Sequence, residues 1–121
     1  MILCAIIASY ILFRDYSSRK ELQIADINTA KINLELFRRR LEEFHGDCKC
    51  YPLETQGLIA LVKNLGLPGW NGPYLVGLRI PCDPWGTPYA YQVIKGKPLV
   101  FSAGPDRMVG TRDDVFDFDS E

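Results

Sequence analysis

The chain has 121 residues, the size of one domain. Its apolar fraction of 47% and charged fraction of 24% exclude wholesale disorder. Fourteen basic residues against fifteen acidic ones leave a net charge of −1, with no field to attract nucleic acid, and the single histidine, His45, excludes multi-histidine metal centres.

Residues 1–13, MILCAIIASYILF, carry no charge and only one polar residue, Ser9. The run is shorter than the roughly 20 residues that cross a bilayer. It lacks a preceding Lys or Arg and a small-residue cleavage site, so a signal peptide is a poor fit. Two readings remain: part of a membrane helix, or a buried or frayed helix end.

From Ser17 to Phe44 there is neither Pro nor Gly. Ile27, Ala30, Leu34, Phe37, Leu41 and Phe44 recur at spacings of three and four, which is one helical stripe. Glu35 with Arg39, Arg38 with Glu42 and Arg39 with Glu43 are candidate ion pairs one turn apart. Arg38, Arg39 and Arg40 fan around the helix beside acids, as a solvated face does. Gly46 is the expected stop. An uninterrupted helix from the first residues to about Phe44 would be roughly 65 Å long. A small domain cannot bury that length. Its first half, residues 1–22, must lie in a membrane or among other helices, while residues 23–121 form the globular domain.

All ten glycines and eight prolines follow His45. Thr55 is placed to cap a short helix, Gln56 to Asn64. Gly66, Pro68, Gly69, Gly72 and Pro73 then interrupt the chain. Pro88 to Ile94 and Pro98 to Ala103 are β-rich, and the link Lys95-Gly96-Lys97 predicts a hairpin. Trp70, Tyr74, Trp85, Tyr89 and Tyr91 either cover the helix stripe as core or form a sugar- or peptide-binding surface; core is the preferred reading.

The tail from Gly104 is acidic and turn-like. Asp106, Asp113 and Asp114 are carboxylates that, with loop carbonyls, suit a hard cation such as calcium. The spacing is not that of an EF-hand, and an exposed acidic turn is the alternative. Cys48, Cys50 and Cys82 with His45 make a Cys3His zinc set at an unusually tight Cys-x-Cys spacing. In an extracytoplasmic setting the expectation is instead a disulfide between Cys82 and either Cys48 or Cys50, with Cys4 an ordinary apolar residue. No nucleophile elbow, phosphate loop or dinucleotide fingerprint is present, so an enzyme is not expected.

Four segments follow in one order: Tyr51-Pro52; Thr55-Gln56-Gly57-Leu58-Ile59-Ala60-Leu61; Trp70-Asn71-Gly72-Pro73-Tyr74-Leu75; and Ile80-Pro81-Cys82-Asp83-Pro84-Trp85-Gly86-Thr87-Pro88-Tyr89. Together they resemble the major pseudopilins of bacterial type II secretion, over roughly residues 25 to 116. Ser102-Ala103-Gly104-Pro105-Asp106, then Gly110 and Asp113-Asp114, is similar to that family's calcium loop. The resemblance implies an α+β fold of the type IV pilin-like kind: a long N-terminal helix packed on a small antiparallel sheet, with a C-terminal calcium loop. It implies Ca2+ held by Asp106, Asp113 and Asp114, with carbonyls near Ala103 and Thr111. Asp117 and Asp119 lie outside that pattern, and changing either to alanine is expected neither to lower the melting temperature in calcium to near the chelator value nor to impair filament assembly.

The implied function is that of a structural subunit of the pseudopilus, a periplasmic filament that helps drive folded exoproteins through the outer membrane. The implied partners are further copies of the chain, minor pseudopilins, the inner-membrane secretion machinery and, through the N-terminal helix, the inner membrane, with the globular domain in the periplasm. The family's basic leader, Gly-Phe peptidase site and following glutamate have no counterpart here; counting back from Tyr51-Pro52 puts Met1 several residues inside the mature helix. The alternatives are a type IV pilin-like subunit of an adhesion or DNA-uptake pilus, and a membrane-anchored calcium-binding module.

Overall fold

The computed structural model of the chain describes residues 2–77 and 79–118. Met1 and Asp119, each the subject of an expectation above, lie outside that set. Helix α1 spans Ile2–Cys48, 47 residues and about 70 Å. A single-turn 3-10 segment covers Gly57–Leu61. Strands β1 (Ala90–Ile94) and β2 (Lys97–Phe101) pair antiparallel, with Tyr91 opposite Val100 and Gln92 opposite Leu99. This is the expected α+β arrangement of one long helix on a small antiparallel sheet.

The predicted stripe is the face that packs. Ala30, Leu34, Phe37, Leu41 and Phe44 are buried, and Ile27 packs at their edge. Their cover is Leu58, Ala60 and Leu61 from the 3-10 turn, Tyr74, Leu75 and Tyr89 from the loops, and Val100 and Val115. Phe37 meets Tyr89 edge-to-face at 5.0 Å and Phe44 meets Tyr74 at 5.6 Å, the geometry that the ring quadrupole favours. Tyr74 and Tyr89 are therefore core, Trp70, Trp85 and Tyr91 pack against it, and three of the polar ends are satisfied as follows. Tyr89 Oη accepts from Asn33 Nδ2 at 2.9 Å, Trp70 Nε1 donates to the Ala60 carbonyl at 2.7 Å and Tyr91 Oη donates to the Pro52 carbonyl at 2.6 Å.

Several local expectations are corrected. The helix runs through Gly46 to Cys48, because Lys49 adopts the left-handed conformation (φ 60°) and donates its N–H to the His45 carbonyl at 2.8 Å. Asp47 is also held in the last turn by the Tyr74 hydroxyl at 2.8 Å. Thr55 caps nothing. The Gln56 side chain accepts from Leu53 N–H at 2.9 Å and the chain makes a 3-10 turn rather than an α-helix to Asn64. The hairpin link is two residues, Lys95 (φ 53°) and Gly96 (φ 77°), and Lys97 belongs to β2. Two positive φ values match the right-handed twist of the strands. Among the helix pairs, Arg39–Glu35 forms at 2.6 Å. Arg40 pairs with Glu43 at 2.7 Å, Glu42 accepts from the Tyr51 hydroxyl at 2.8 Å, and Arg38 turns to Asp117.

Every residue from Ile2 to Ala25 is exposed except Ser17, which is intermediate. Ile2, Leu3, Ile6, Tyr10, Leu12 and Phe13 are each at least 60% exposed. This half of α1 projects beyond the domain. Among the described residues no helix is long and apolar enough to cross a membrane.

Candidate functional site

The tail loop begins where β2 ends. Ser102 and Val115 form an isolated antiparallel bridge, with Ser102 N–H to the Val115 carbonyl at 3.0 Å and Val115 N–H to the Ser102 carbonyl at 2.8 Å. This bridge brings residues 103 and 114 together and closes the segment between them into a loop. Gly104, at φ 75°, lies against the Asp113 backbone; a Cβ there would collide with the Asp113 carbonyl oxygen. Glycine is required at that position by both the dihedral and the space.

Within the loop, Asp106 Oδ2 accepts from the Thr111 hydroxyl at 2.6 Å and Oδ1 from Met108 N–H at 2.9 Å. The Thr111 hydroxyl, and next the Met108 N–H, hold the Asp106 carboxyl below its usual range. Asp114 Oδ2 accepts from Gly110 N–H at 2.8 Å, and Asp114 N–H donates to the Thr111 carbonyl at 3.3 Å. Asp114 Oδ1 is buried with no partner. Asp113 N–H reaches the Thr111 hydroxyl at 3.3 Å, and Ala103 is buried at the loop entrance.

All five predicted ligand residues therefore belong to one closed loop. The three carboxylates do not converge into a cage: among the described residues no three His, Cys, Asp or Glu side chains are grouped as metal ligands. The donor set nevertheless fits a hard cation. It is all oxygen, and an orphaned buried carboxylate oxygen carries a desolvation cost that a cation would offset.

Asp117 is not a bystander. Its side chain is 9% exposed and its Oδ2 lies 3.0 Å from Arg38 Nε on α1. It ties the tail to the helix. Phe101 and Phe116 stack at 5.2 Å beside it.

The predicted disulfide is also corrected. Cys4, Cys48, Cys50 and Cys82 are all free. Cys82 lines a hollow with Pro81 and Tyr89. Tyr89 packs on Phe37, eleven residues and so about 16 Å along the helix from Cys48. Among the described residues no three His, Cys, Asp or Glu side chains are grouped as metal ligands, which corrects the Cys3His zinc alternative, and His45 lies against the Tyr51 ring at 4.4 Å.

Sequence reasoning missed two residues. Asp83 is 4% exposed and Ser102 is fully buried, the two buried non-aromatic polar residues among the described residues. Asp83 Oδ1 accepts from Trp85 N–H at 3.1 Å and Thr87 N–H at 2.8 Å, and Oδ2 from the Ser102 hydroxyl at 2.6 Å. The Asp-Pro-Trp-Gly order was a legible signal for a side-chain-capped turn. Its contact with Ser102, 19 residues on, left no local trace.

A family model described as "Type II secretion system (T2SS), protein G" matches residues 19–121. "Type II secretion system core protein G" of Dickeya chrysanthemi is 37% identical over 98 residues, covering 75% of this chain and 63% of that protein. The protein of the same name from Pseudomonas aeruginosa is 36% identical over 100 residues, covering 77% and 69%. The crystal structure of the major pseudopilin from the type 2 secretion system of enterohaemorrhagic Escherichia coli superposes with a TM-score of 0.70 at 29% identity, covering 79% of this chain and 85% of that one. The chain thus spans a little under two thirds of the length of the Dickeya relative.

Proposed function

Because the chain belongs to the type II secretion system protein G family, we propose that it is the structural subunit of a pseudopilus, and that it works by burial rather than by catalysis. One observation carries the reading: a 47-residue helix packs on its own domain only from about Ile27 onward. The free half carries Ile6, Ile7 and Ile11 half or more exposed. Such a surface is stabilised by removal from water at about 25 cal/mol per Å2 of apolar area. Packed against a different face of the helix in the next copy, it gives a heterologous contact that does not close, and so a filament. Before assembly the uncharged apolar run at the start of that half would enter the inner membrane, with the domain in the periplasm. On this reading its partners would be minor pseudopilins and inner-membrane secretion components, and its cargo the folded exoproteins that such a filament helps to drive through the outer membrane.

The tail loop supports a second element of the reading. Asp106, Asp113 and Asp114, with carbonyls of Ala103 and Thr111, would hold one Ca2+, whose positive charge would offset the clustered carboxylates. The ion would not react with anything. It would stabilise the native loop by binding to it alone, by about 2.7 kcal/mol at a hundredfold excess over Kd.

Deletion of the gene in its host tests the function. Loss of exoprotein export, restored by the wild-type chain and not by a chain with Ile6 and Ile7 changed to serine, is the expected result. Unchanged export in the deletion strain would refute it.

A further inference from the structure

We propose that Asp83, acting through the Ser102 hydroxyl, is the positioning residue of the tail loop and sets its affinity for calcium. The proposal rests on the calcium reading above and deepens it. The Asp83 carboxylate is fixed first by its own turn. Its Oδ1 takes the N–H groups of Trp85 and Thr87, and its backbone N–H donates to the Thr87 carbonyl at 2.8 Å. Only Oδ2 faces outward from the turn, and it receives the Ser102 hydroxyl at 2.6 Å. A hydroxyl has one proton and two acceptor lone pairs. With its proton committed to a charged carboxylate, Ser102 Oγ must present a lone pair elsewhere. Gly104 N–H donates to it at 3.0 Å.

Ser102 therefore holds both ends of the loop. Its side chain fixes Gly104 at the start, and Gly104 lies against the Asp113 carbonyl. Its backbone fixes Val115 at the finish. The donor residues between 103 and 114 are placed by one buried serine, whose orientation is dictated by one buried aspartate on a different turn. Two segments that the sequence presents separately, Asp83-Pro84-Trp85-Gly86 and Ser102-Ala103-Gly104, are one unit. Coupling of this kind is reciprocal, so calcium in the loop would also steady the Asp83 turn.

The two informative variants are S102A, which removes the relay oxygen, and D83N. In D83N the amide meets Ser102 Oγ with a donor in place of an acceptor, and the hydroxyl proton loses its partner. Y91F is the control: it loses a hydrogen bond of similar length, to the Pro52 carbonyl, far from the loop in the chain. Two measurements are made below the melting temperature of every variant. Amide hydrogen exchange at Gly104, with chelator present, reads the relay directly and needs no ion. Isothermal titration with calcium chloride reads affinity. We expect Gly104 exchange to accelerate at least tenfold in S102A and D83N, and calcium Kd to rise at least tenfold in both. Y91F should change neither by more than twofold. Unchanged Gly104 exchange in D83N overturns the relay, as does unchanged calcium affinity in both variants. Absence of any calcium binding by the wild type overturns the calcium reading, while Gly104 exchange still decides the relay. Should D83N fail to fold, S102A, which deletes one atom, carries both measurements.

Discussion

Tyr91 shows how a single residue couples burial to pH. Burial, and next the nearby Glu54 carboxylate, push its phenol up to about 12 from a usual 10.0. The folded state thus favours the neutral phenol more than the unfolded state does. The resulting stability is present below pH 10 and is lost as pH rises from there through about 12. Tyr51, Tyr74 and Tyr89 are raised as well, each with burial as the first cause. Denaturant melts across this range should show a steep alkaline loss of stability that is shallower in Y91F. The same substitution should cost about 1 kcal/mol at neutral pH, the net worth of its hydrogen bond to Pro52. An identical alkaline slope in both proteins would contradict this account of Tyr91. Asp117 makes the opposite point about exposure. It faces an Arg38 that is 64% exposed, so water screens the pair. D117A should lower stability by a few tenths to about 1 kcal/mol and leave calcium affinity alone. Thermal melts and calcium titration of the one variant check both halves of that statement.

At the scale of elements, helix α1 divides into a half that packs and a half that does not. Removing residues 1–20 should leave a soluble, monomeric, folded domain, because among the described residues none that is buried precedes Ala30. Sedimentation and circular dichroism of the shortened chain would show it, and an aggregated or unfolded product would place the division elsewhere. Phe37 is fully buried against Tyr89. F37A should cost about 3–5 kcal/mol through lost transfer and a residual cavity, read as a fall in denaturant midpoint. The helix and its stripe were legible because periodicity is a local signal that repeats. The hairpin was legible through its link, Lys95-Gly96, although its ends moved by one or two residues. The short helix at Thr55 was not, since a side chain from Gln56 and the packing of Leu58, Ala60 and Leu61 decided the geometry there. The loop's residues were readable as a set of acids. The Ser102–Val115 bridge and the Asp83–Ser102 hydrogen bond that shape the loop were not, because they join residues far apart in sequence whose identities carry no periodic mark. The cysteine pairing was misjudged for a related reason: counting thiols does not show whether two of them, far apart in sequence, meet in the fold.

The whole molecule exposes its apolar surface at one end and its oxygen-rich loop on the domain, which makes assembly and ion binding separable. Calcium should raise the melting temperature of the domain, and D113A or D114A should hold it near the chelator value, whether or not filaments form. Assembly should depend on the free half of α1. Cys4 reports on that half directly, since it is exposed in the single subunit and lies between Leu3 and Ile6, both at least 60% exposed. The decisive measurement is alkylation of Cys4 in assembled material sheared from cells, compared with the same material dispersed in detergent. Burial of the helix among its neighbours predicts strong protection of Cys4 in the filament and full labelling after dispersal, with Cys82 labelling as an internal reference. Equal labelling of Cys4 in both states, or no sheared assemblies containing the chain, would contradict the account.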